Sequence, residues 1–352
     1  MSTPTVLAVD GNSLLHRAFH ASARTMYRTP DGVQGWAVRG LLSQLVSAVD
    51  RVCADAVVVG FDDRGNSSRK RRWPSYKAQR APKPESLERQ LDLAVEVLRD
   101  LGVCVVVPEG LEADDVLASV AAQAPAYGAQ TVVVTSDRDS FSLIDEHTRM
   151  LRILNGGVDA SPLLDPERLA MVTGVRPEQY LDLAAIRGDA SDNLPGVHGF
   201  GTKTAVKLLQ ALGSGQAAFD DADNGGDRCT AAIGKARTKS LQAPEARPRW
   251  LLNREVMAMV TTADLGLDLG PECAPGMGRL PLDEDAVRST YSRFELHVPT
   301  AIRGLTLREP TRTVAEPYFD PRWKAAPREK VGPLPKLIPA PTGPAYVQEA
   351  LF

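Results

Sequence analysis

The chain has 352 residues, 43% of them hydrophobic, enough for one sizeable core or two smaller ones. Its 41 basic and 44 acidic residues leave a net charge of -3, which excludes a generally basic protein but not local patches of either sign. No apolar run is long enough to span a bilayer, and Cys53, Cys104, Cys229 and Cys273 lie too far apart for a zinc ribbon or a disulfide framework.

In chain order, the opening "MSTPTVLAVDGN" lacks the basic start and long apolar run of a signal peptide, so a cytoplasmic protein without membrane association is expected. Four short, continuous apolar runs follow: "TVLAV" (5–9), "AVVVGF" (56–61), "VCVVV" (103–107) and "TVVVT" (131–135). Such runs predict strands covered on both faces. Between them, "GWAVRGLLSQLVSAVDRV", "ESLERQLDLAVEVLRDLG" and "ADDVLASVAAQA" carry helical patterns. Alternating strands and helices predict an α/β domain over 1–160 with a mainly parallel central sheet. From 161 to 307 the chain reads as mostly α: "DPERLAMVTG" with an aspartate cap, "RPEQYLDLAAIRG", "GTKTAVKLLQALG", "RWLLNREVMAMVTT" and "DEDAVRSTYSRFEL". Residues 308–352 are proline-rich without periodicity and read as extended or disordered. There is no internal repeat.

Sites in open α/β sheets form beyond the carboxyl ends of the strands. Here each of those ends is acidic: Asp10, then Asp62, then Glu112, Asp114 and Asp115, then Asp137 and Asp139. With Asp189 and Asp192 of "GDASDN", nine carboxylates could converge. Any one alone is better explained as a helix cap. Together they would repel unless cations neutralise them. Magnesium fits as a hard, oxygen-seeking ion, with manganese as an alternative. Two such ions about 4 Å apart can activate water and stabilise a leaving oxygen in phosphate-ester hydrolysis. His16 and His20 have the spacing of a zinc pair, but no Glu follows His16, and core or substrate contact is the simpler reading.

The stretch "RGNSSRKRRWPSYKAQRAPKP" (64–84) contains no acid and interleaves Trp73 and Tyr76 with its cations. A solvated loop would explain the charge, but aromatics among cations also suit bases and phosphates. "LPGVHGFGTKTA" reads as a hairpin between helices, with Gly196, Gly199 and Gly201 admitting a close ligand. Thr202 opens a helix whose N-terminus favours an anion, and Lys203 and Lys207 add charge.

These residues carry a resemblance. "VDGNSLLHRAFHA", "VVGFDDRGNSSRKRRWPSYKAQRAP", "GLEADDVLAS", "VTSDRDSFSLI", "GDASDNLPGVHGFGTKTAVKLL" and, more loosely, "LNREVMAMVTTADL" are similar in sequence and order to the 5′-nuclease, flap endonuclease-like family. The chain resembles a stand-alone version of the 5′-3′ exonuclease domain found at the front of bacterial DNA polymerase I. The resemblance implies a PIN-like nuclease domain and a helix-three-turn-helix subdomain, with the hairpin at about 186–212. It implies a first metal cluster of Asp10, Asp62, Glu112, Asp114 and Asp115, and a second of Asp137, Asp139, Asp189 and Asp192. Catalytic roles fall to Asp10, Asp62, Asp137, Asp139, Lys77 and Arg80, the last two on the scissile phosphate. DNA contacts are implied for Arg17, Arg69, Tyr76, Lys77, Arg80, Gly196, Gly199, Gly201, Thr202 and Lys203. A potassium ion on the backbone carbonyls of Val197 and Phe200 is implied at the hairpin. The basic stretch corresponds to the family's arch. "DDADNGGDRCTAAIG" is looser than the family's usual helical segment, and the tail has no counterpart.

The function implied is magnesium-dependent hydrolysis of DNA at 5′ ends, flaps or nicks in replication and repair. The implied setting is a nucleoid-associated monomer, with a DNA polymerase as partner. Two alternatives stand beside it: a non-catalytic binder of branched DNA, and a PIN-like ribonuclease. If "GDASDNLPGVHGFG" sets the distance from hairpin to cut, lengthening the chain at Leu194 is expected to move or abolish the cleavage position. Mapping product ends on a flap substrate reads this directly.

Overall fold

In the computed structural model, residues 3–266 and 278–307 are described. The tail at 308–352 lies outside them, as does Cys273. The four predicted strands form as β1 (Thr5–Asp10), β2 (Ala56–Gly60), β3 (Cys104–Val106) and β4 (Gln130–Thr135). A fifth, β5 (Thr148–Arg152), and a short β6 (Leu163–Leu164) complete a sheet of order β3-β2-β1-β4-β5-β6. All pairs are parallel except β5 with β6. "TRMLR" escaped the sequence reading because its two arginines interrupt the apolar run.

The helices of this half are α1 (Gly11–Ser22), α2 (Trp36–Val52), α3 (Ser68–Arg72), α4 (Glu85–Asp100) and α5 (Ala113–Gln123). Val6, Leu7, Ala8 and Val9 of β1 are buried, which explains why its sequence shows no alternation. The order of strands reverses between β1 and β4. A crevice therefore opens beyond their carboxyl ends, where neighbouring crossovers leave to opposite sides.

The helical half contains α6 (Pro166–Thr173), α7 (Pro177–Arg187), α8 (Thr202–Leu212), α9 (Gly215–Asp223), α10 (Asp227–Ile233), α11 (Lys235–Leu241) and α12 (Ala246–Met257). Asp165 caps α6 by accepting the Arg168 N–H. The loose segment "DDADNGGDRCTAAIG" still forms two short helices. They break at Gly225 and Gly226, and the Asp221 carboxylate accepts the Cys229 N–H. Helix α12 stops at Met257 rather than continuing through "AMVTT". That segment is drawn out along α5, where Asp115 accepts the Val260 N–H and Ser119 bonds to both Val260 and Ala263.

One departure concerns the division at 160/161. Helices α13 (Glu284–Arg293) and α14 (Val298–Leu305) follow the helical half in sequence but pack on α2 and α4. Val287, Tyr291, Phe294 and Leu305 join the core of the α/β half, and the Tyr291 hydroxyl donates to the Leu42 carbonyl at 3.0 Å. Their apolar stripe gave no sign of which partner would cover it.

Between α7 and α8 the chain makes a tight hairpin, with Gly188–Asp189 antiparallel to Leu194–Pro195. Gly188 has φ +76°, a left-handed conformation that favours glycine. A Cβ on Gly196 would stand 2.1 Å from the Arg187 carbonyl oxygen. Gly196 is therefore needed for the hairpin to close on the end of α7. Gly196→Ala is expected to cost about 1–3 kcal/mol through this backbone clash. Urea titration of the two proteins measures the difference, and equal midpoints would contradict the close approach.

Candidate active site

The crevice beyond β1 and β4 gathers the predicted acids. Asp10, the last residue of β1, is buried and caps α1 by accepting the Ser13 N–H at 2.8 Å. Its second oxygen accepts the Thr135 hydroxyl at 2.8 Å from the end of β4. The capping explanation and the clustering explanation thus hold for the same carboxylate. Burial pushes the Asp10 pKa up to about 7, with Asp62 and Asp137 adding repulsion against the two hydrogen bonds. Asp62, just beyond β2, accepts the Ala113 N–H at 3.0 Å. Asp137 accepts the Asp139 N–H at 3.0 Å.

Asp114 lies in the first turn of α5, and its Oδ1 is buried without a hydrogen-bond partner. Burial, then Asp137 and Asp10, hold its pKa well above the ordinary carboxylate value. Burial likewise raises Asp139 to about 7, reinforced by Asp137, Asp189 and Asp192 and opposed by Arg187. These mutual interactions tie acids from both halves of the chain into one field. Asp189 stands at the start of the hairpin, where it accepts the Ser191 N–H and hydroxyl.

The basic segment lies over this field and is tied down to it. Arg69 is buried and forks onto Asp115 with two contacts of 2.6 Å, and it also donates to the Val256 and Ala258 carbonyls. The Tyr76 hydroxyl donates to Glu112 at 3.0 Å, and Lys77 Nζ reaches both Glu112 oxygens at 3.0 and 3.1 Å. Arg80 pairs with Asp192. Burial works against the Lys77 charge, but Glu112 and Asp192 outweigh it and raise its pKa.

Two expectations change on this geometry. Asp115 spends both oxygens on protein donors: Arg69, the Glu112 N–H and the Val260 N–H. It is fully buried and anchors α3 and the chain after α12 to α5 rather than facing the crevice. Arg69 and Tyr76 are buried by the same contacts, so neither is presented as a free DNA-binding group. Arg17, by contrast, is half-exposed and donates to Asn155 at 3.1 Å.

At the hairpin, Gly199, Gly201, Thr202 and Lys203 are exposed, while Val197 and Phe200 point their side chains inward. The Val197 carbonyl accepts the Phe200 N–H at 3.0 Å. Gly201 gives α8 no side-chain cap, which leaves first-turn N–H groups open to an anion.

The sequence reading missed the neutral partners: Thr135 at the end of β4, Ser13 in the first turn of α1, and Asn193 beneath the basic segment. Thr135 was visible as the polar end of "TVVVT" beside "SDRD", but nothing local paired it with Asp10 across 125 residues.

Among the described residues, no three His, Cys, Asp or Glu side chains are already gathered about one point as metal ligands. Arg69, Lys77 and Arg80 hold Asp115, Glu112 and Asp192 by their own charges. The donor set nevertheless suits a divalent ion. It is all hard oxygen, it is mutually repulsive, and Asp114 Oδ1 is left without a donor.

The chain thus sets an acid-lined switch point on a parallel sheet beside a glycine hairpin that leads into a basic helix. The chain belongs to the 5′-3′ exonuclease family. Residues 5–172 match the 5′-3′ exonuclease N-terminal resolvase-like domain, and 175–273 match its C-terminal SAM fold. DNA polymerase I of Mycobacterium tuberculosis (strain H37Rv) is 34% identical over 296 residues, covering 84% of this chain and 31% of that protein. Thermostable DNA polymerase I of Thermus aquaticus is 40% identical over 218 residues, covering 62% of this chain and 25% of that protein. The chain thus spans about a third or less of the length of these curated relatives. Among solved structures, bacteriophage T5 D15 protein co-crystallised with metal ions superposes with a TM-score of 0.58 at 18% identity, over 86% of this chain and 99% of that one. The catalytic core of Rad2 in complex with DNA substrate gives 0.53 at 18% identity, over 86% and 91%. At that identity both show the shared fold.

The raised acids carry a consequence for stability. Asp10 and Asp139 titrate near 3.8 when unfolded and about 7 when folded. Between those values the folded state binds more protons, so the metal-free protein is expected to lose stability as pH rises from about 4 to 7. Asp10→Asn should flatten this loss. Denaturation midpoints across that range, measured in chelator, test it, and parallel profiles for the two proteins would count against the buried repulsion.

Proposed function

We propose that the chain hydrolyses DNA phosphodiesters near 5′ ends and flaps, using two magnesium ions. The observation that carries this is the buried carboxylate field of Asp10, Asp114 and Asp139, with an orphaned Asp114 oxygen, directly beneath a basic segment. Asp10, Asp62, Glu112, Asp114, Asp137, Asp139, Asp189 and Asp192 would hold the ions. Bound there, the ions would supply Lewis-acid activation of water and neutralise charge on the leaving oxygen.

The chain's own groups do the positioning. Lys77 and Arg80 each hold a carboxylate that a cation can claim. Freed from Glu112 and Asp192, they would contact the scissile phosphate, and the Arg80 side chain is half-exposed. Water oxygen adds to phosphorus and the bond to the 3′ oxygen breaks, leaving a 5′-phosphate and a 3′-hydroxyl. Arg69 and Tyr76 keep the segment seated and Asp115 keeps Arg69 in place. Further along the duplex, Gly199, Gly201, Thr202 and Lys203 bind backbone phosphate, and Arg17 guides the strand near β1. A potassium ion on the Val197 and Phe200 carbonyls, action beside a DNA polymerase, and a monomer working at the nucleoid complete this reading.

Cleavage of a 5′-flap duplex with magnesium tests it. Wild type should release the flap, chelator should abolish release, and the double variant Asp137→Ala with Asp139→Ala should lose at least about a hundredfold in rate. Unchanged cleavage by that variant, or none by the wild type, sinks the reading.

A further inference from the structure

Two non-glycine residues with left-handed backbones sit close together where the basic segment meets the hairpin. Lys77 has φ +55° and Asn193 has φ +59°. Such conformations cost free energy outside glycine and persist where surrounding contacts enforce them. Asn tolerates this region and Lys has no local compensation, so the enforcement must come from the contacts.

Those contacts form a short seam between segments more than a hundred residues apart. The Lys77 N–H donates to the Asp192 carbonyl at 3.0 Å. The Asn193 amide donates to the Ser75 carbonyl at 2.9 Å, and its oxygen accepts the Gln79 amide at 3.0 Å. The Asn193 side chain thus grips the basic segment on both sides of Lys77. Its own N–H donates to the Ala190 carbonyl, and the next residue, Leu194, begins the returning arm of the hairpin. Leu194 also packs with Tyr76 and Val256 in a small apolar cluster under the segment.

We infer that Asn193 is a positioning residue: it clamps Ser75 and Gln79 so that Lys77 and Arg80 stand over the acids, and it ties their placement to the hairpin. The inference rests on the nuclease reading above for its catalytic consequence, but the clamp itself is a property of the folded chain. Asn193 touches no reacting group. It acts through Lys77, whose left-handed turn aims Nζ at Glu112.

Asn193→Gly separates the clamp from the turn, because glycine keeps the left-handed backbone and removes only the amide. Gln79→Ala removes one side of the clamp from an exposed position and leaves the fold intact. Three measurements are made on the full chain: single-turnover flap cleavage with magnesium at saturating DNA, equilibrium binding of the same duplex in chelator, and trypsin cleavage after Lys70, Arg71 and Arg72, all exposed.

In Asn193→Gly the cleavage rate should fall about tenfold while duplex affinity holds, and trypsin should cut the segment faster. Gln79→Ala should show a smaller effect of the same kind, and the pair should be less than additive. A saturated rate equal to wild type, or a loss explained wholly by weaker duplex binding, overturns the inference. If wild type itself does not cleave, the nuclease reading fails, and trypsin decides the clamp: equal proteolysis of wild type and Asn193→Gly refutes it.

Discussion

Carboxylates crowded into a buried crevice repel one another, and the rest of this structure is arranged around that repulsion. Asp10, Asp114 and Asp139 sit where the sheet's strand order reverses, each with a pKa lifted by burial and by its acidic neighbours. Nothing in a hydrophobic core would place them there. The cost is met partly by hydrogen bonds, such as Thr135 to Asp10, and partly by cations brought from elsewhere in the chain.

Those cations divide into two kinds. Arg69 is sealed: its fork on Asp115 and its bonds to Val256 and Ala258 join α3, α5 and the C-terminal end of α12 in one buried knot. A planar guanidinium suits that task because it satisfies several acceptors at once. Lys77 and Arg80 instead each pair with a single carboxylate, Glu112 and Asp192. The basic segment is therefore a structural plug at one end and a set of counter-charges to the acids at the other. On the nuclease reading proposed above, the same acid-free stretch both completes the fold and meets the phosphate.

The same division applies to the acids. Asp115 and Asp114 are adjacent in "EADD", yet the helix turns one inward to Arg69 and the other toward the acid field. A rotation of about 100° per residue along α5 is enough to give neighbours opposite roles. Likewise "GDASDN" supplies Asp189 and Asp192 to the field, while Asn193 leaves it to hold the basic segment.

Local sequence was enough for four of the six strands of the sheet, most helices, the acids beyond those four strands and the glycine hairpin, because each has a local signature. Continuous valine runs, caps and glycines act over a few residues, where composition and spacing carry the information. Tertiary structure alone decided which carboxylate faces which cation. It paired Thr135 with Asp10 and Asn193 with Ser75, and it returned α13 and α14 to the α/β core. Those contacts join segments between 35 and 125 residues apart or choose between two apolar faces, and no local pattern encodes such a choice.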